Sequence, residues 1–164
     1  MTQVRDFMHQ GAITVSSSYT LPQLEQAFID HKITGFPVIE AGRLVGVVSR
    51  SDVVRQICVE RTKAEYISDF YCDKTGFHTT LDDSQSLSAI AQSVGSQIDH
   101  LHVSDVMTTR LITVNATDAI ETAAQLMVSH DIHRLPVLSD GAVAGMITSL
   151  DVVRYVAGTG GGPC

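Results

Sequence analysis

Basic residues are in short supply: 11 Lys and Arg stand against 18 Asp and Glu, a formal net charge of −7. Nucleic-acid binding rests largely on neutralising phosphates with cations, so the chain has no general attraction for DNA or RNA and no nucleic-acid partner is expected. A small anion is a different matter, because a few local cations and backbone N–H groups hold one inside an acidic protein. No apolar run comes near the roughly 20 residues that a bilayer crossing needs. The first residues, Met1 to Asp6, show no cationic start followed by an apolar stretch. The expectation is a soluble, cytoplasmic protein with no membrane partner. The three cysteines, Cys58, Cys72 and Cys164, are odd in number and lack C-x-x-C spacing, which speaks against a disulfide framework or zinc knuckle and suits a reducing compartment.

Catalytic signatures are missing as well. There is no nucleophile elbow, metalloprotease helix or Walker loop, and the cysteines have no evident activating partner. The glycine-rich stretch Gly158 to Pro163 lacks a lysine and precedes no helix, so it reads as a flexible end and not as a phosphate loop. His100 with His102, and His130 with His133, have no third ligand at characteristic spacing, so no metal is expected. The chain is not expected to be an enzyme.

What is present is globular composition, 44% hydrophobic and 18% charged, in a chain long enough to bury about two thirds of its unfolded surface. It is also duplicated. Residues 4 to 57 align with 103 to 156 without a gap, at a constant offset of 99. Seventeen positions are identical, among them Ile13-Thr14-Val15 with Ile112-Thr113-Val114, His31 with His130, Pro37-Val38 with Pro136-Val137, Gly46 with Gly145, and Asp52 to Arg55 with Asp151 to Arg154. Most other pairs are apolar exchanges such as Phe28 with Met127, so both copies use the same buried positions.

Each copy opens on a β-branched run, Ile13 to Val15 or Ile112 to Val114, which reads as a strand. A helix follows, its start marked by the capping-box patterns Thr20-Leu-Pro-Gln23 and Asp118-Ala-Ile-Glu121. Apolar residues then recur at helical spacing, and His31 and His130 fall near the helix ends, where the dipole favours them. Two apolar runs, Phe36 to Ile39 and Leu44 to Val48, flank a turn at Gly42, and the second copy repeats this hairpin around Gly141. A final helix starts at Ser49-x-x-Asp52 or Thr148-x-x-Asp151. Each copy is therefore β-α-β-β-α. A three-stranded sheet leaves an apolar face that about 55 residues struggle to cover, so the copies are expected to pack on each other as a pseudo-twofold α+β pair.

The expected boundaries are residues 1–59 for the first repeat, 60–102 for a helical insertion, 103–157 for the second repeat and 158–164 for the tail. Within the insertion, Ala64, Ile67 and Tyr71 extend the helix begun at Ser51. A break follows at Cys72 to Phe77, then a second helix through Leu87, Ile90, Val94 and Ile98 that Gly95 weakens. This hairpin either completes the core or forms a partner surface.

The order of these motifs, Ile-Thr-Val, then Gly-Phe-Pro-Val or His-Arg-Leu-Pro-Val, then Gly-x-x-Ser/Thr-x-x-Asp-Val-Val-Arg, resembles the CBS (cystathionine β-synthase) domain, and the pair resembles a Bateman module. The resemblance covers 4 to 57 and 103 to 156. It implies two clefts between the repeats that bind AMP, ADP, ATP, S-adenosylmethionine or NAD-type ligands. It also implies a regulatory, non-catalytic role, a homodimer, and an enzyme or transporter as partner. By that resemblance Asp52 and Asp151 accept from ribose hydroxyls, Ser49 and Thr148 meet phosphate, and Ile13, Thr14, Ile112 and Thr113 flank adenine. Gly35, Phe36 and Pro37 in the first copy and His133, Arg134, Leu135 and Pro136 in the second line the clefts.

The residue chemistry agrees. A helix start offers unpaired N–H groups and partial positive charge, an ionised Asp is acceptor-only and suits a diol, and Arg134 presents a fork of donors matched to phosphate. Two alternatives stay open: Ser49/Asp52 and Thr148/Asp151 are also what a ligand-free capping box requires, and the module could be an assembly element with degenerate clefts. The copies differ where His133-Arg134 faces Thr34-Gly35, although Arg50 lies nearby. The two sites are expected to be unequal, the one with Arg134 holding phosphate more tightly.

Overall fold

The computed structural model describes residues 2–75 and 83–158, so residues 76–82 and the tail beyond Gly158 lie outside the described residues. After a 3-10 turn at Val4–Asp6 come β1 (His9–Gln10), β2 (Val15–Ser16), α1 (Leu21–His31), β3 (Gly35–Glu40), β4 (Arg43–Ser49) and α2 (Arg50–Thr75). The second half runs α3 (Asp83–Asp99), α4 (Val103–Val106), β5 (Val114–Asn115), α5 (Ile120–His130), β6 (Arg134–Ser139), β7 (Ala142–Thr148) and α6 (Ser149–Val156). One sheet has the order β1-β7-β6-β5 and the other β2-β3-β4. Among the described residues no helix is long and apolar enough to cross a membrane.

The chain divides into two compact units. One comprises residues 1–15, 36–47 and 109–164; the other comprises 16–35 and 48–108. In the first, Val4, Val114, Ile120, Ala123, Met127, Leu135, Val137 and Ile147 form a buried cluster, with Phe7, Met8, Ile112 and Val152 packed against it. In the second, Leu21, Leu24, Phe28, Val48, Val53 and Val103 are buried, and α2 packs along α3.

Each unit joins the leading segment of one copy to the first long helix of the other. Ile120 N donates to Thr2 O and Val4 N to Asp118 O; at the same offset, Leu21 N donates to Leu101 O and Val103 N to Tyr19 O. These bonds satisfy the orphan N–H groups at the starts of α5 and α1. In the first unit the segment goes on into β1, which pairs antiparallel with β7 through His9 opposite Met146 and Gln10 opposite Gly145. Gly145 is required there, since a Cβ on it would collide with the His9 backbone carbonyl.

The hairpins form as their sequences dictate. Ala41-Gly42 and Asp140-Gly141 all have positive φ, between 48° and 80°, which is the mirror-image turn that suits the twist of paired strands. The capping box at Thr20 also forms, with Thr20 N donating to Gln23 Oε1 at 2.9 Å and Gln23 N to Thr20 Oγ1 at 3.4 Å. His31 and His130 close α1 and α5, each followed by a left-handed residue, Lys32 or Asp131.

Three local expectations change. The capping box at Asp118 does not form: Ala119 is the N-cap of α5, Asp118 accepts from Asn115 N instead, and Glu121 accepts from the Tyr155 hydroxyl. The opening strands of the two copies begin at Val15 and Val114, because Ile13-Thr14 and Ile112-Thr113 precede the paired residues. Finally, of the break expected at Cys72 to Phe77, residues 72–75 are helical because α2 runs on to Thr75, while Phe77 lies outside the described residues; the second insertion helix forms as expected, with α3 continuing through Gly95.

Candidate functional site

Strand β6 delivers the basic pair of the second copy to the start of α6. Antiparallel register sets Arg134 opposite Thr148, Leu135 opposite Ile147 and Pro136 opposite Met146. Ser149 N donates to His133 O at 2.9 Å, tying the strand to the first turn of the helix. His133 is exposed and Arg134 half-buried. Burial pulls the Arg134 pKa below that of a free guanidinium. A partly desolvated cation gains from an anion more than a solvated one does. Leu135 and Pro136 are buried, Leu135 within the core cluster. Ile112 packs against that core and Thr113 is half-buried, immediately before Val114, which pairs in parallel with Val137 of β6.

Asp151, the third residue of α6, is 2% exposed. Its Oδ2 accepts from Thr148 N at 2.8 Å and from Thr148 Oγ1 at 2.6 Å. On Oδ1 it meets Arg154 Nη1 at 3.0 Å and His9 Nε2 at 3.2 Å. Asp151 reaches back to the N-cap backbone, as the acidic half of a capping box does, and the arrangement also gathers a cation, a hydroxyl, a carboxylate and a helix start within one unit.

The first copy builds the same start in the other unit. Asp52 Oδ2 accepts from Ser49 N at 2.8 Å and Ser49 Oγ at 2.7 Å, and Oδ1 meets Arg55 Nη1 at 3.0 Å. Arg50 N donates to Thr34 O at 3.1 Å. The Arg50 side chain turns to α1: its Nη2 donates to Phe28 O at 3.2 Å, and its guanidinium carbon lies 5.5 Å from the centre of the Phe28 ring. Gly35, Phe36 and Pro37 are buried. Ile13, 42% exposed, and Thr14 present their side chains to solvent.

Three participants escaped the sequence reading. Arg55 and Arg154 carried a signal, since each stands three residues after its Asp in a motif that recurs unchanged, a spacing that puts the two on one helix face. His9 carried none, because it reaches Asp151 only through the pairing of β1 with β7, far along the chain. Among the described residues no group of three or more His, Cys, Asp or Glu could hold a metal ion.

Comparison with known proteins gives these local patterns a context. Residues 4–58 and 103–158 match the family model of the CBS domain. Protein MJ1426 of Methanocaldococcus jannaschii is 30% identical over 155 residues, spanning 92% of this chain and 89% of the relative. Among solved structures, CBSX2 in complex with AMP is 26% identical, with a TM-score of 0.68 over 97% of this chain and 99% of that one. The CBS domain pair of MJ0100, solved with 5′-methylthioadenosine and S-adenosyl-L-methionine, is 21% identical, with a TM-score of 0.64 over 96% and 98%, and supports the α+β fold alone.

Proposed function

Since the chain belongs to the CBS domain family, as matches over both copies establish, we propose that it is a cytoplasmic, non-catalytic regulatory module for an adenosine-containing ligand. The ligand is an adenine nucleotide, AMP, ADP or ATP, with S-adenosylmethionine and NAD-type molecules as the neighbouring chemistries. Occupancy is passed to a dimer interface or to a partner enzyme or transporter. The repeats are those bounded at residues 1–59 and 103–157, with 60–102 as the helical insertion.

The observation that carries this reading is the convergence of Arg134, Thr148 and Asp151 at the start of α6. Phosphate would be met by Arg134, the Thr148 hydroxyl and the first N–H groups of α6; the ribose diol would donate to Asp151. Thr113 and Ile112 supply the flank for the base, and Ser49, Asp52 and Arg50, with Ile13 and Thr14, supply the first copy's counterparts. The resemblance to CBSX2, solved with AMP, supports an adenine nucleotide over an arbitrary anion. A ligand signals only if it binds two arrangements with unequal affinity.

A thermal-shift panel of AMP, ADP, ATP, S-adenosylmethionine and NAD tests the assignment. A ligand at 100 times its dissociation constant adds about 2.7 kcal/mol of stability, so at least one should raise the melting temperature by several degrees. Calorimetry with Arg134→Ala should then show phosphate-bearing ligand bound about tenfold more weakly, the loss of one charge-assisted pair; unchanged affinity rejects the role given to Arg134.

A second reading has an observation of its own. Leu150, Val153 and Val156 on α6 are exposed, as are Val54 and Val59 on α2, and each helix by itself offers apolar residues to a homodimer. If no nucleotide shifts the melting temperature while sedimentation shows a dimer that Val153→Glu dissociates, the module assembles and does not sense.

A further inference from the structure

A carboxylate offers about four lone-pair sites; on Asp151, Thr148 N and Oγ1 donate to one oxygen, Arg154 donates to the other, and His9 Nε2 lies 3.2 Å from that second oxygen. Asp52 receives the same three groups from its own copy, Ser49 N, Ser49 Oγ and Arg55. At the position that corresponds to His9, the second copy carries Thr108. Among the described residues the fourth contact is thus a property of one helix start, and it comes from the leading segment of the first copy.

We infer that His9 is a built-in competitor for the sugar at the second helix start: a ribose diol reaches Asp151 Oδ1 only by displacing the imidazole. The inference rests on the nucleotide reading given above and adds a regulation to it. The backbone of His9 is fixed, since β1 pairs with β7 and the missing side chain of Gly145 lets the His9 carbonyl come close. Its imidazole is 42% exposed, so a side-chain rotation alone carries it into water without disturbing the sheet. Arg154 stays on the same oxygen from within α6, as Arg55 does in α2, and does not distinguish the sites. His9 therefore makes the second start selective: it admits ligands whose diol outbids an imidazole, and it offsets part of what Arg134 adds through phosphate.

The test is calorimetric titration of the full chain with AMP and with 2′,3′-dideoxy-AMP, which keeps base and phosphate but lacks the diol. The proteins are the wild type, His9→Ala and His9→Thr, the last installing the residue of the other copy in case the alanine variant fails to fold. AMP affinity at one site should rise about tenfold in each folded variant, the worth of one hydrogen bond to a charged group, while dideoxy-AMP affinity stays as in the wild type. AMP bound equally well by wild type and variants overturns the inference and leaves the nucleotide reading standing. An equal gain for dideoxy-AMP overturns it too, by showing a general loosening. No heat with any of the proteins overturns the nucleotide reading and takes this inference with it.

Discussion

Asp52 and Asp151 occupy the same place in the two copies and accept the same pair of bonds from Ser49 and Thr148, yet they live in unequal company. Asp52 has 10% of its side chain exposed and three groups on it; Asp151 has 2% and four. At the start of β6 the second copy has Arg134 where the first has Gly35, while Arg50 near the first start is held by Phe28. Duplication has kept the capping geometry, which folding needs in both copies, and has let the surrounding charges diverge, which folding does not need. The divergent groups are therefore where the ligand chemistry of the two starts is to be sought.

The comparison is broken most severely at Gly145. Gly145→Val drives a side chain into the His9 backbone, parts β1 from β7 and removes the imidazole from Asp151; we expect a loss of about 3 kcal/mol in urea denaturation. Next come the two carboxylates. Asp151→Ala removes the acceptor of Thr148 N and Oγ1 at a part-buried helix start and should cost about 2–3 kcal/mol. Asp52→Ala, at a more open start, should cost about 1 kcal/mol. Equal losses for the pair would mean that the fourth contact and the deeper burial contribute nothing.

The smallest effect concerns Tyr155, which only the second copy has; the first carries Gln56 at that position. The Glu121 pKa is lowered, first by its own backbone N–H at the start of α5 and then by the Tyr155 hydroxyl. The Tyr155 pKa is raised by its hydrogen bond to Glu121 and by that residue's charge. A depressed carboxyl contributes stability above its unfolded pKa, lost as pH falls through the folded value. A raised phenol contributes below its unfolded pKa of about 10, lost as pH rises through the folded one. The melting-temperature difference between wild type and Tyr155→Phe should thus be flat across neutral pH and shrink at both extremes; a difference that does not vary with pH counts against the pair.

Much of the fold was legible because its signals are local. The Thr20 box, the Gly42 and Gly141 turns and the Ser/Thr-x-x-Asp starts each depend on residues within four of one another, and the constant offset repeated the turns and the Ser/Thr-x-x-Asp starts. The errors came where a distant segment supplies what the sequence seemed to supply nearby. Asp118 stands one residue ahead of Ala119, the N-cap of α5 that aligns with Thr20, and its carboxylate serves the preceding turn through Asn115 N. The β-branched residues Ile13 and Thr14 favour extended backbone, but a strand also requires a partner, and pairing begins only at Val15. For the site, the residues of each helix start were readable from spacing, whereas the contact of His9 with Asp151 depends on a strand pairing that no periodicity announces.

The central claim is that the two helix starts hold a sugar-phosphate. Backbone amide NMR during titration of the full chain with AMP tests it residue by residue. The account predicts saturable shifts concentrated at Thr34 and Gly35, Ser49 to Asp52, His133 and Arg134, and Thr148 to Asp151. Saturable shifts that spare these residues and gather on α2 and α3, or no shifts at millimolar AMP, would contradict it.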